Sequence, residues 1–306
     1  MSFGSKRIHR AVRGPASLVT ACLLVGSLVL GLLLSGCGAT TQAAPAPAVS
    51  PGVATTVPPV AITTLPDAVT TTGALPPTTV TTRPRPTSGR PLVMWVAGDS
   101  LVGETGSALA RLAESLPAVR VTVRVRDCSG LCRPDFFDWP ALMKTDMSRL
   151  RPDAVVVMFG GNDGQDMQVE GQDLVAFTDQ WKREYGRRVG EAMDILTRGG
   201  CRVFWIGGPV MRSPELSRQT DIMNAIYRQE AGLRESVTYV DGWKLFSGAE
   251  GEFTEWLPDS SGKPRLVREP DGVHLTELGG ERMAAEVIRL MGRYWDLGTQ
   301  EADTAP

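Results

Sequence analysis

Histidine is nearly absent from this sequence: among 306 residues only His9 and His274 carry an imidazole. His9 lies in a basic N-terminal stretch that reads as a segment to be removed, which leaves one imidazole in the mature chain. Metal sites built from several histidines are thereby excluded, as is any His-Glu-x-x-His site. Histidine acid–base chemistry near neutral pH would fall to His274. A basic excess is missing too: the formal net charge is -2, which gives nucleic-acid binding no support. No Gly-x-Ser-x-Gly elbow surrounds Ser100, and no apolar segment stands out as a lid over a long-chain lipid site. Nothing in the sequence calls for a metal or an organic cofactor.

What the N-terminus does contain is an address. Lys6, Arg7, His9, Arg10 and Arg13 precede an almost purely apolar stretch from Leu18 to Leu34, followed by Ser35, Gly36 and Cys37. A basic segment, an apolar segment and small residues at the exit make a secretory signal. A Cys directly after Leu-Ser-Gly resembles the bacterial lipoprotein signal, which implies lipidation of Cys37 and a new N-terminus there. An uncleaved membrane anchor is the alternative, since seventeen apolar residues lie at the low edge of a span. Either reading puts the rest of the chain on the outer face of the cytoplasmic membrane, extending into the cell envelope. Residues 38–90 are dominated by Ala, Pro, Thr and Val. They cannot bury enough apolar surface to offset their ordering entropy and read as a disordered linker. Fully polyproline-like, it would reach roughly 160 Å, at about 3.1 Å per residue.

Residues 91–297 have ordinary globular composition, enough for one domain with a sizeable core; residues 298–306 read as a disordered tail. Short apolar runs at Leu92–Ala97, Val121–Val125, Ala154–Phe159, Arg202–Ile206 and Val237–Val240 predict five strands. Helices are expected over 101–116, 174–197, 214–232 and from Thr276, an N-cap, to about Leu297; residues 241–270 read as loop-rich. Strands alternating with helices imply an α/β fold, a three-layer α/β/α sandwich with a five-stranded parallel sheet. Ligands in such folds sit at the carboxyl ends of the strands.

The residues just past those ends are chemically suggestive as a set, and bland one by one. Gly98-Asp99-Ser100 follows the first strand; Ser100 is either an exposed nucleophile or a helix cap. Asp127-Cys128-Ser129-Gly130 follows the second, and the N–H of Gly130 is open to a ligand. Gly160-Gly161-Asn162-Asp163 follows the third, where the Asn162 amide suits an oxyanion or merely a turn. Asp271-Gly272-Val273-His274 precedes the last helix, with the acid spaced to orient the imidazole.

In order and approximate spacing these residues resemble the SGNH (GDSL-type) hydrolases, over the whole region from Pro91 to Leu297. The stretch Gly130 to Phe136, with Asp241-Gly242-Trp243 and Arg268, is similar to a secreted actinobacterial lipoprotein branch of that family. The resemblance implies a flavodoxin-like fold and a Ser100–His274–Asp271 triad. It also implies an oxyanion hole from the backbone of Ser100 and Gly130 and the side chain of Asn162, with Asp99 and Asp163 shaping the turns. The implied activity is an extracytoplasmic serine esterase removing acyl groups, acetyl foremost, from cell-envelope carbohydrate. An O-acyltransferase, fed by a separate membrane acyl-donor protein, and a non-catalytic glycan-binding module are the alternatives. Arg212, Arg268, Trp243, Met211 and Trp256 are candidate substrate contacts, each also explicable by packing or a surface ion pair. Cys128 and Cys132 flank Gly130 closely enough for a small disulfide loop in an oxidising compartment. Cys201 is then left over.

Overall fold

Strand β1 (Leu92–Gly98) runs through the centre of the domain, and its alternating side chains feed two separate cores. Met94 and Val96 point to one face of the sheet; Trp95 and Ala97 point to the other, and all four are buried. Such a strand is apolar throughout because helices cover both of its faces. The computed structural model describes residues 83–298. The expected signal segment with Cys37, most of the expected linker and nearly all of the expected C-terminal tail lie outside the described residues.

The remaining elements follow in chain order. A 3-10 turn (Ser100–Val102) leads into α1 (Gly103–Glu114), then come β2 (Val119–Val125), α2 (Trp139–Leu150) and β3 (Ala154–Met158). A small hairpin, β4 (Met167–Val169) and β5 (Gln172–Leu174), precedes α3 (Asp179–Leu196), β6 (Arg202–Ile206), α4 (Pro214–Gly232), β7 (Val237–Val240) and α5 (Gly242–Phe246). A second hairpin, β8 (Trp256–Pro258) and β9 (Pro264–Leu266), leads to α6 (Glu277–Met291).

The main sheet has the order β2-β1-β3-β6-β7, with every pair parallel. On one face α1 and α6 pack with Leu109, Met283 and Val287 against Met94, Val96, Val156 and Phe204. On the other, α2, α3 and α4 bring Trp139, Trp181, Tyr185 and Tyr227 against Trp95, Val157 and Trp205. This is the three-layer α/β/α sandwich the alternating pattern predicts. Strand order reverses between β1 and β3, and ligands of doubly wound sheets bind at the carboxyl ends beside such a reversal.

Several boundaries differ from expectation, each for a local reason. The helix expected from Leu174 starts at Asp179, because Leu174 pairs with Met167 in the β4–β5 hairpin and Thr178 caps the helix by accepting from Trp181 N. Helix α2 has no counterpart in the sequence reading. Asp138 caps it, accepting from Ala141 N, and Pro140 lies in its first turn, a start signal that was legible. The loop-rich stretch 241–270 contains α5 and the β8–β9 hairpin. Helix α6, capped by Thr276 as expected, stops at Met291 rather than Leu297.

Candidate active site

The end of β1 is pressed against β3. A Cβ on Gly98 would lie 2.0 Å from the carbonyl oxygen of Met158, and the residue has φ +156°, so only glycine lets the two strand ends approach this closely. Asp99 follows and is fully buried. Its Oδ1 accepts from Leu101 N at 2.9 Å and caps the 3-10 turn. Its Oδ2 accepts from Gly160 N at 3.0 Å and Gly161 N at 2.8 Å. One carboxylate thus fastens the turn bearing Ser100 to the loop bearing Asn162. Burial pushes the Asp99 pKa up to about 7; the N–H of Leu101 opposes that, the charge of Asp163 adds to it, and the two glycine N–H groups oppose it.

The loop after β2 is fastened next. Ser129 is buried, donates its hydroxyl to Arg126 O at 2.6 Å and accepts from Trp139 Nε1 at 2.9 Å. Its carbonyl accepts from Asn162 Nδ2 at 3.2 Å. One N–H of the Asn162 amide is therefore tied back and the other is left for a ligand. Asp163, fully buried, accepts from Cys132 N at 2.8 Å and from the Tyr185 hydroxyl at 2.7 Å; that hydroxyl stands 2.6 Å from Tyr227 OH. Burial raises the Asp163 pKa, and the Cys132 N–H and Tyr185 hydroxyl work against it. Gly130 is wedged between these groups: a Cβ there would fall 2.1 Å from Asp163 Oδ1. Among the described residues no acceptor takes the Gly130 N–H. Ser129, Trp139 and Tyr185 were missed as supports; in the sequence a loop serine and two helix aromatics carry no signal of this role.

The disulfide expected between Cys128 and Cys132 is not formed. Cys132 is a free, buried thiol. Its Sγ turns inward and donates to Asp163 O at 3.0 Å, so the side chain expected to close a small loop around Gly130 holds the third-strand loop instead. Cys201 is likewise free and buried.

The last component is the loop between β9 and α6. Asp271 Oδ1 accepts from Val273 N at 2.8 Å and His274 N at 3.0 Å, which makes a tight Asx turn. Asp271 Oδ2 lies 2.6 Å from His274 Nδ1, and His274 Nε2 lies 2.9 Å from Ser100 Oγ. Burial alone would raise the Asp271 pKa; the hydrogen bonds from the His274 ring and from the His274 and Val273 backbone outweigh it and hold the carboxyl below its usual value. An ionised Asp271 requires the proton on Nδ1, so Nε2 is the acceptor facing the serine hydroxyl. The His274 and Asp271 side chains are 24% and 28% exposed, so the dyad opens to solvent.

Of the candidate substrate contacts, Arg268 is corrected. It is wholly buried, with its guanidinium directed at backbone carbonyls of Val210, Gly272 and Val273, and no part of it faces a ligand. Arg212 is exposed but engaged, donating to Pro270 O and pairing with Glu255. Met211 is buried in the core cluster beneath the loop. Trp243 lies half-buried on α5, and Trp256 on β8 is 53% exposed.

A family model described as "Protein of unknown function (DUF459)" matches residues 93–290. No curated protein matches the chain. Among solved structures the fold is similar to a catalytic mutant of an acetylxylan esterase from Geobacillus stearothermophilus, with 15% identity, 67% of this chain and 95% of that chain covered, and a TM-score of 0.47. It is similar to a GDSL-like lipase from Bacteroides thetaiotaomicron, with 12% identity, 66% and 88% covered, and a TM-score of 0.46. It is also similar to the C-terminal catalytic domain of peptidoglycan O-acetyltransferase A from Streptococcus pneumoniae, with 14% identity, 67% and 94% covered, and a TM-score of 0.43.

Proposed function

The chain belongs to the DUF459 family, and from the geometry of its site we propose that it is a serine ester hydrolase of the SGNH type. The observation that carries the reading is the unbroken chain of hydrogen bonds from Ser100 Oγ through His274 to Asp271. Ser100 attacks the ester carbonyl while its proton passes to His274 Nε2. The carbonyl oxygen gains negative charge and is met by the Ser100 N–H, the Gly130 N–H and the spare amide hydrogen of Asn162. The C–O bond then breaks, and the leaving alcohol takes the proton from His274. Water attacks the acyl-Ser100, gives a proton to His274 and releases the carboxylic acid as Ser100 is reprotonated. Asp271 keeps the ring in the acceptor tautomer and steadies the imidazolium.

The substrate we propose is a short acyl ester, acetyl foremost, on carbohydrate of the cell envelope. Support comes from the N-terminal sequence, which reads as an export signal with a lipid-bearing Cys37, and from a dyad partly open to solvent. The test is release of p-nitrophenol from p-nitrophenyl acetate by the full chain, set against Ser100→Ala and His274→Ala. Loss in both variants supports the reading, and activity surviving in Ser100→Ala would sink it. A soluble glycan added to the same assay separates water from a sugar hydroxyl as acceptor, since acetylated glycan would mark a transferase.

A further inference from the structure

A charged side chain with no exposed surface needs a reason, because removing a cation from water is costly unless its donors are all met. Arg268 is 0% exposed. Among the described residues no carboxylate forms an ion pair with it; its partners are uncharged. Nη1 donates to Val210 O at 2.5 Å, and Nη2 to Val273 O at 3.0 Å and Gly272 O at 3.2 Å. Nε reaches His274 O at 3.4 Å, and Nη2 lies 3.5 Å from Met211 Sδ. The Phe253 ring lies 5.0 Å from the guanidinium and closes the remaining side.

The identity of the acceptors is informative. Three successive carbonyls, those of Gly272, Val273 and His274, converge on one planar cation, and the fourth belongs to the segment that leaves β6. The orientations of three consecutive peptides fix the backbone from which the His274 ring projects. Asp271 sets that ring from one side by hydrogen bond, and Arg268 sets it from below through the main chain. Burial lowers the Arg268 pKa to about 10, with the charge of Asp271 opposing the fall and that of Arg212 adding to it, so the cation persists at neutral pH. Arginine suits the task and lysine does not, because only a flat fork with five donors meets several carbonyls at once.

We propose that Arg268 is a positioning residue that holds the Gly272–His274 backbone so that Nε2 stays in reach of Ser100. The proposal rests on the esterase reading, and the experiment keeps the two apart. Arg268→Lys and Arg268→Gln are made in the full chain, each alone and combined with His274→Ala, and rates are taken per folded molecule well below the melting temperature. Two variants are used so that one folded protein suffices.

With His274 present, kcat falls about tenfold or more and KM stays within about twofold; with His274→Ala, the same change alters the residual rate by less than about twofold, since residues acting as a unit are not additive. Equal factors in both backgrounds, or an unchanged kcat, would overturn the proposal, because Arg268 would then act on the fold at large. If the wild type shows no Ser100-dependent turnover, the esterase reading fails by itself. The low-field proton resonance of the His274 Nδ1–H to Asp271 hydrogen bond still reports on Arg268: its loss in the folded variant supports positioning, and its persistence refutes it.

Discussion

Gly130 and Asp163 touch where neither has room to give. A methyl group on Gly130 would stand 2.1 Å from Asp163 Oδ1, and Asp163 is held by Cys132 N and Tyr185 OH. Gly130→Ala must therefore either lift its own N–H away from the site or break the Asp163 network. We expect kcat to fall about a hundredfold or more, the usual cost of losing one oxyanion donor, together with a lower melting temperature. Steady-state kinetics and a thermal melt on the same preparation check it; a fully active Gly130→Ala would remove Gly130 from the oxyanion hole.

Asp271→Asn keeps the shape of the turn but reverses the hydrogen bond to Nδ1, which leaves Nε2 protonated and unable to accept from Ser100. The expected loss in kcat is about a thousandfold to ten-thousandfold, the scale seen when the acid of a serine triad is replaced by its amide. The fold should survive, as judged by circular dichroism. A loss below about tenfold would mean that Asp271 does not set the tautomer.

Asp99 makes a pH prediction whose sign can be worked out. Its folded pKa is raised to about 7 from an ordinary 3.8, so between those values the native state holds a proton that the unfolded chain has released. This group's contribution to stability is therefore full below about pH 4 and is lost as pH rises toward about 7. Asp99→Asn has no such dependence. The melting temperature of the wild type minus that of Asp99→Asn should be larger at pH 5 than at pH 8. A difference that grows with pH would show that the three N–H donors outweigh burial.

Cys132 and Cys201 are free and buried, and burial raises both thiol pKa values, that of Cys201 to about 12. Both should resist iodoacetamide in the native protein and react once it is unfolded, since the thiolate is the reactive form. Peptide mass mapping of the two samples decides it, and rapid native labelling of Cys132 would contradict its placement under Asp163.

What the sequence made legible follows from how its signals are written. Buried parallel strands are short apolar runs closed by glycine, so Ala154–Phe159, ahead of Gly160, and Arg202–Ile206, ahead of Gly207, stand out in the chain. Ser100 and Asn162 sit just past such runs, and His274 is the one imidazole outside the basic N-terminal stretch, which is why all three could be picked out with no contact map. The three-residue strands of the hairpins show no alternation, and α2 was missed although Asp138 and Pro140 mark its start. Arg268 reads as a candidate substrate contact because charged residues are ordinarily at the surface. Its burial depends on carbonyls from two distant segments, which no local pattern encodes. The spacing of Cys128 and Cys132 permits a disulfide, but the direction in which Cys132 points is set by Asp163, 31 residues on.

The distance in sequence between Ser100 and His274, 174 positions, sets a timetable for the chain. Synthesis runs from the N-terminus, so Ser100, the Gly130 N–H and the Asn162 amide all emerge before His274 exists. A nascent chain carries a serine no more reactive than any other, whatever esters it meets. Ser100 gains its partner only when the segment between β9 and α6 folds against the end of β1, so late-made residues act as the molecule's own safety catch.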